Sequence, residues 1–399
     1  MTVRVSKPEF NLREKLSELD KPVGLKGSEL LKSETAQDAR NLVSADRKNI
    51  IINGDFRIAQ RGTTHNSSGY RTVDRFKMGA GGANTTLTQS QHTLSSSDAP
   101  YSDGFRHSFH IQNAGQNANT QGYLYLQYHV EAQDMAYSGW NYKSTSSYLT
   151  LSFWVKSSIT HTFLFTFYTA DGTPQDYNVL FPVQADTWKK IIITVPGDQD
   201  ITFDTNTDYG LQLMWNPYMG SHYTSGSSVN KWQNHAGYTS RPDMDDKWWK
   251  TASTFEITGV QLEVGQNATD FEHRSYAEEL SLCERYFQCM KGPSSVAGGT
   301  GERCYGVAHT YSTSRALWTF QFKTEMRSSP TVSIDTISDI QVLSSSAWNS
   351  ASSFVSTNNF HKFGGRVDMN FSGTPFTANG AGEVRILNDG ILGFDAELS

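Results

Sequence analysis

Leu149-Thr150-Leu151-Ser152-Phe153-Trp154-Val155-Lys156 sets Leu149, Leu151, Phe153 and Val155 in one phase and Thr150, Ser152 and Lys156 in the other. A period of two sends alternate side chains to opposite faces of an extended chain, so this stretch reads as a half-buried β-strand. Phe163, Phe165 and Phe167 repeat the alternation, as do Leu211, Leu213 and Trp215. Ile191-Ile192-Ile193 reads as a strand buried on both faces. Near 255–264 the apolar phase slips by one: Phe255 and Ile257 precede Val260, Leu262 and Val264, with Gly259 at the slip. A β-bulge produces that pattern. Many short strands, turn-rich spacers such as Asn53-Gly54-Asp55, and no helical pattern between them predict an antiparallel sandwich rather than a βαβ fold.

Composition agrees. The 399 residues are 37% hydrophobic, 12% aromatic and only 19% charged, which favours β-structure and two or three domains. A net charge of −6, with no basic run, argues against wrapping nucleic acid, whose backbone demands concentrated Lys and Arg. No 18 apolar residues run together, so membrane insertion is not expected, and residues 1–16 lack the apolar segment of a signal peptide. Cys283, Cys289 and Cys304 form no framework pattern and no C-x-x-C pair, which counts against both a disulfide scaffold and a zinc site.

Either side of the sandwich the pattern changes. Residues 1–48 hold two short helical patterns, one with Leu12, Leu16 and Leu19 in a narrow stripe and one aligning Ala36, Ala39, Leu42 and Val43. Isolated helices shorter than about 12–15 residues are marginal in water, so these must dock on another copy, another protein or the following domain, or else form a flexible leader. Residues 275–290 read as a linking helix: Ser275 and Glu278 make a capping box, and Tyr276, Leu280, Cys283, Phe287 and Met290 recur at helical spacing. A Ser/Gly-rich hinge follows to 303. Strand patterns at Trp318, Phe320 and Phe322, at Val332 and Ile334, at Val384 and Ile386, and at Leu392, Phe394 and Ala396 then predict a smaller β-domain over 304–399.

Several segments resemble phage tail-fibre and related virion proteins. The run 30–40, LLKSETAQDAR, is similar to a short helix recurring in fibre shafts and collars. Residues 49–56, Gln60-Arg61-Gly62, Val73-Asp74-Arg75-Phe76 and the Trp188 strand look like parts of a jelly-roll of the carbohydrate-binding-module type. Residues 255–265, 271–274 and 282–287 resemble its closing strand and exit helix, and 391–398 the last strand of fibre-tip domains. The resemblance implies a jelly-roll at 49–274, a virion-attachment segment at 1–48 that binds other virion proteins, and a homotrimer assembled in the host bacterial cytoplasm. Leu12, Leu16, Leu19 and Leu42 are the residues expected at virion or subunit contacts. It also implies host-surface glycan recognition without catalysis and a structural calcium near Asn53-Gly54-Asp55, with no other cofactor. A capsid-bound fibre, knob or decoration protein is an alternative, and a glycan-degrading enzyme a second.

For the site itself, the loop 216–250 carries Tyr218, Tyr223, Trp232, Tyr238, Trp248 and Trp249 among Gly, Ser, Asn and His. Such loops serve recognition. Trp232, Tyr238, Trp248 and Trp249 are therefore the candidate glycan contacts, against the reading that these rings pack the loop onto the sandwich or a neighbouring subunit. Asp243, Asp245 and Asp246 fail the EF-hand spacing and read as a solvated tip. His107 and His110, three apart in a strand, face opposite ways and make no metal pair. No G-x-S-x-G, Walker or H-E-x-x-H motif is present, and no catalytic residue is expected.

Overall fold

The computed structural model describes residues 49–224, 227–237, 241–292, 304–344, 346–356 and 359–398. Leu12, Leu16, Leu19 and Leu42, the 1–48 helices, the 293–303 hinge and Tyr238 lie outside the described residues.

Twelve strands build the first domain: β1 (Thr64–His65), β2 (Phe76–Gly81), β3 (Leu87–Thr93), β4 (His107–Ala114), β5 (Tyr123–Glu131), β6 (Tyr148–Ser157), β7 (His161–Thr169), β8 (Gln175–Val183), β9 (Lys189–Pro196), β10 (Tyr209–Met219), β11 (Trp232–Asn234) and β12 (Ala252–Val264). They form two six-stranded antiparallel sheets, ordered β1-β3-β4-β12-β6-β9 and β11-β8-β7-β10-β5-β2. The fold is mainly β, an antiparallel jelly-roll sandwich. Its core is aromatic: Trp215 lies 5.6 Å from Phe153 of the facing sheet and 5.1 Å from Phe165 of its own. Each such ring, fully buried, contributes about 1.5–3 kcal/mol.

The predicted phase slip is a bulge. Thr258 pairs with Trp154 and Gln261 with Ser152, so β12 carries one extra residue there. Gly259 absorbs it at φ 64°, where a Cβ would stand 2.6 Å from the Phe105 ring. The isoleucine run needs correcting. Ile191 and Ile193 are buried, but Ile192 is 55% exposed, because β9 is an edge strand with only its inner face covered.

Helix α1 (Ala132–Ala136) follows β5, α2 (Lys247–Lys250) precedes β12, and α3 (Tyr276–Glu284) leaves the sandwich. Ser275 caps α3 as read, its hydroxyl accepting from the Glu278 amide. The helix stops at Glu284, however, and not near 290. Phe287, Cys289 and Met290 lie in β13 (Phe287–Lys291), whose partner is β22 (Ile391–Asp395). Helical spacing there is overridden by a ladder that closes across roughly a hundred residues.

The second domain adds β14 (Cys304–Ser312), β15 (Arg315–Gln321), β16 (Thr331–Ile334), β17 (Ile340–Ser344), β18 (Ala347–Ser356), β19 (Phe360–His361), β20 (Gly364–Phe371) and β21 (Gly380–Ile386). Strands β15-β14-β21-β17-β18-β20 are sequential neighbours, and β20 pairs back onto β15. The sheet thus closes into a six-stranded barrel, leaving no open edge in that ring. A three-stranded sheet, β13-β22-β16, packs Leu392 and Phe394 into the same core.

Residues 395–398 join the two domains. Glu397 forms a buried ion pair with Arg75, and the Tyr70 hydroxyl donates to the Leu398 carbonyl at 2.7 Å. Arg285 and Tyr286 close on the buried carboxylate of Glu131 at 2.9 and 2.6 Å. Burial works to raise that carboxyl, but these hydrogen bonds outweigh it and hold it below its ordinary range.

Candidate functional site

In β5 the alternation sends Leu124, Leu126, Tyr128 and Val130 into the core. Tyr123, Tyr125, Gln127 and His129 therefore lie on the outer face of the second sheet. The neighbouring strand β2 sets Gly81 opposite Tyr123 and Gly79 opposite Tyr125. Glycine leaves that space empty, and the tyrosines fill it. A Cβ on Gly79 would stand 2.2 Å from the Tyr125 ring, and one on Gly81 2.4 Å from the Tyr123 ring. The two rings are parallel within 9°, their centroids 5.7 Å apart, and both are half-buried. Tyr223 meets Tyr123 edge-on at 5.4 Å, forming one wall. Beyond the rings Gln212 donates to the Gln127 amide oxygen at 3.0 Å, and Lys77 sits across from Gln127.

The other half of this face is covered by the long loop after β10. Asp176, on the outer face of β8, is fully buried and receives Arg241 at 3.0 Å and His235 at 2.7 Å. The Asn230 amide donates to the Asn178 carbonyl at 2.8 Å. The loop thus closes the β7–β8 side; on the β2–β5 side Gln127 and His129 are buried as well, and Tyr123 and Tyr125 stay half-exposed.

That arrangement decides the sequence candidates. Trp248 and Trp249, in α2, are both 0% exposed. Trp249 stacks on Tyr218 at 4.7 Å, and the two indole N–H groups donate to the carbonyls of Thr254 and Asn117. Asn113 further holds the Trp248 and Trp249 carbonyls at 2.9 Å. Neither ring presents a face to a ligand; their assignment as glycan contacts is corrected to loop packing. Trp232 is half-buried, wedged 5.2 Å from Tyr177 with its N–H on the Pro196 carbonyl. It extends the core at the sheet margin.

The acidic tip is solvated as read: Asp243 and Asp245 are exposed, and Asp246 meets Lys250 at 2.6 Å on the surface. At Asn53-Gly54-Asp55 most oxygens already have partners. Asn53 accepts from the Ile58 amide, the Gly54 carbonyl accepts from Val260, and Asp55 pairs with Arg57 through Oδ2, while its Oδ1 is buried with no hydrogen bond among the described residues. Calcium requires six to eight oxygens. Among the described residues no group of three metal-ligating side chains occurs.

Tyr123 and Tyr125 escaped the sequence reading. The available signal was a tyrosine pair on the outer phase of Gly122-Tyr123-Leu124-Tyr125-Leu126 facing the glycines of Met78-Gly79-Ala80-Gly81.

No family model and no curated protein matches the chain. Among solved structures it is similar to the enzymatically active domain of tailspike protein 4 of bacteriophage CBA120, at 10% identity and a TM-score of 0.30. That match covers 54% of this chain and 21% of the other. It is also similar to a putative sugar binding protein from Bacteroides thetaiotaomicron, at 11% identity and 0.30, over 55% of this chain and 100% of that one. A family 11 carbohydrate-binding module from Clostridium thermocellum, in complex with a mixed-linked tetrasaccharide, matches at 13% and 0.27, over 53% and 98%.

Proposed function

We propose that this chain is a non-catalytic bacteriophage virion protein of the tail-fibre kind, homotrimeric, that binds a host-surface glycan on the Tyr123–Tyr125 platform. One observation carries the glycan reading: two parallel half-buried tyrosine rings seated over glycines on the outer face of the sheet. Rings so held lose little freedom on binding and offer flat apolar surface to the C–H face of a sugar. Gln212 and Lys77, both half-buried, stand beside them to meet hydroxyls. The virion setting is supported by the resemblance of residues 49–56, 60–62, 73–76, 255–265, 271–274 and 282–287 to virion proteins.

Host-cell pull-down with the wild type and with Tyr123→Ala/Tyr125→Ala tests the platform. The double variant should lose at least about tenfold in affinity while keeping its melting temperature. Undiminished capture would refute it. Incubation with host polysaccharide should leave chain length unchanged, and shortened chains would establish an enzyme instead. A solution mass equal to the 44.5 kDa monomer at micromolar concentration would remove the trimer.

A further inference from the structure

On the opposite side of the sandwich, the outer face of the first sheet carries a cleft of about 250 Å³ at the Gly259 bulge. Four parts of the chain build it. Strand β6 supplies Ser152 and Trp154, and β9 supplies Lys190, which pairs directly across from Trp154. The segment before β4 brings Asp103 and Phe105; the segment after β12 brings Asp270, Phe271 and His273. Phe105, Phe271 and His273 pack on one another at 4.8–5.4 Å, making a rigid wall. The Trp154 indole donates to the Asp103 carboxylate at 3.2 Å, and the His273 ring meets the Asp103 carbonyl at 2.9 Å. At the bulge Gly259 lacks a side chain, and this lets the Phe105 ring seat against the strand as part of the cleft wall.

We propose that this cleft is a second saccharide subsite, taking one neutral pyranose ring and working independently of the tyrosine platform. Two carboxylates, an ammonium and a hydroxyl surround an indole. An anionic ligand would meet Asp103 and Asp270, and a cationic one Lys190. A neutral polyol uses both, because carboxylates accept strongly from hydroxyls and the ammonium donates to ring and hydroxyl oxygens. The volume falls just below the roughly 300–1,000 Å³ of drug-sized pockets, which suits one ring rather than a chain.

Labelling the full chain with 5-fluorotryptophan gives a fluorine resonance for Trp154, assigned by its loss in Trp154→Phe. Glucose, galactose and N-acetylglucosamine are each titrated to tens of millimolar, the range for a contact with Kd of about 1–10 mM. At least one should shift the Trp154 resonance saturably. Asp270→Asn/Lys190→Ala should weaken that response about tenfold, while Tyr123→Ala/Tyr125→Ala leaves it intact. No saturable shift with any of the three sugars overturns the proposal. So does a shift that persists in Asp270→Asn/Lys190→Ala, or one that vanishes in the tyrosine variant, which would assign the binding to the platform alone.

Discussion

Trp248–Trp249 and Tyr123–Tyr125 are aromatic pairs of the same domain, yet one is wholly buried and the other half-open. The tryptophans sit in a polar, glycine-rich loop, the setting that suggests recognition, and they are core. The tyrosines sit in a regular strand, the setting that suggests scaffold, and they face out. The difference lies in what the neighbours leave vacant. Around Trp249, Tyr218 and Gly122 close the space and Asn117 satisfies the indole. Beside the tyrosines, Gly79 and Gly81 leave a shelf. Loop composition therefore says less about exposure than the residue facing each ring across a ladder.

The comparison breaks most sharply on stability. Trp249→Ala should cost about 3–5 kcal/mol through lost burial and a residual cavity, lowering the sandwich's melting temperature by on the order of 10 °C. Tyr125→Ala should cost no more than about 1 kcal/mol. Calorimetry of both decides it. If the tyrosine costs as much as the tryptophan, the platform is structure and not site.

A second covered region lies at the other end of β5. Arg75 and Glu397 pair in the interior between the sandwich and the chain's last residues. Breaking a buried pair leaves one charge stranded, so Glu397→Gln should destabilise by about 3 kcal/mol or more. Arg75→Met/Glu397→Met should recover most of that, since both desolvation costs vanish together. A double variant no better than the single would show that the pair's other contacts, Glu397 with Arg61 at 3.5 Å and Arg75 over the Tyr286 ring at 3.4 Å, outweigh the pair itself.

Nearby, burial pushes His129 down to about 3, although its hydrogen bond with the Leu398 carbonyl works the other way. The unfolded chain takes up that proton below about pH 6.5 and the folded one does not. Stability is therefore lost as pH falls from about 6.5 towards 3, at about 1.4 kcal/mol per unit. Asp74 opposes this. Burial raises it to about 6 despite the Arg61 charge, so the folded protein binds that proton first and gains stability as pH falls through 6. Comparing His129→Gln with wild type isolates the histidine: between pH 6.5 and 4.5 the wild type should lose about 2–3 kcal/mol more in urea unfolding. Parallel pH curves would mean His129 becomes charged at no cost, and hence that water reaches it as it reaches the tyrosines.

Much of the fold was legible because it is local. Leu149 to Val155, Phe163 to Phe167 and Leu211 to Trp215 carry period two and are β6, β7 and β10. Gly259 marked its own bulge, and Ser275 its own cap. What could not be read depends on partners distant in sequence. Phe287 and Met290 keep helical spacing, and only β22 makes them a strand. Barrel closure rests on β15 meeting β20, some fifty residues on. The platform was missed for the same reason: Tyr125 needs Gly79, 46 positions earlier, and no single window holds both.

The smallest change tests that dependence directly. Gly79→Ala adds one methyl where the Tyr125 ring now lies, 2.2 Å from the new carbon. The strand itself should accept it, because Gly is the worse residue in a strand interior, and stability should move by no more than about 0.5 kcal/mol. The ring, however, must swing off its shelf and out of parallel with Tyr123. Host-cell capture should then fall about tenfold, from a substitution that removes no ligand-contacting atom. Were capture unchanged, the vacancy opposite the ring would be irrelevant to binding. The contrast between the two aromatic pairs would then reduce to burial alone.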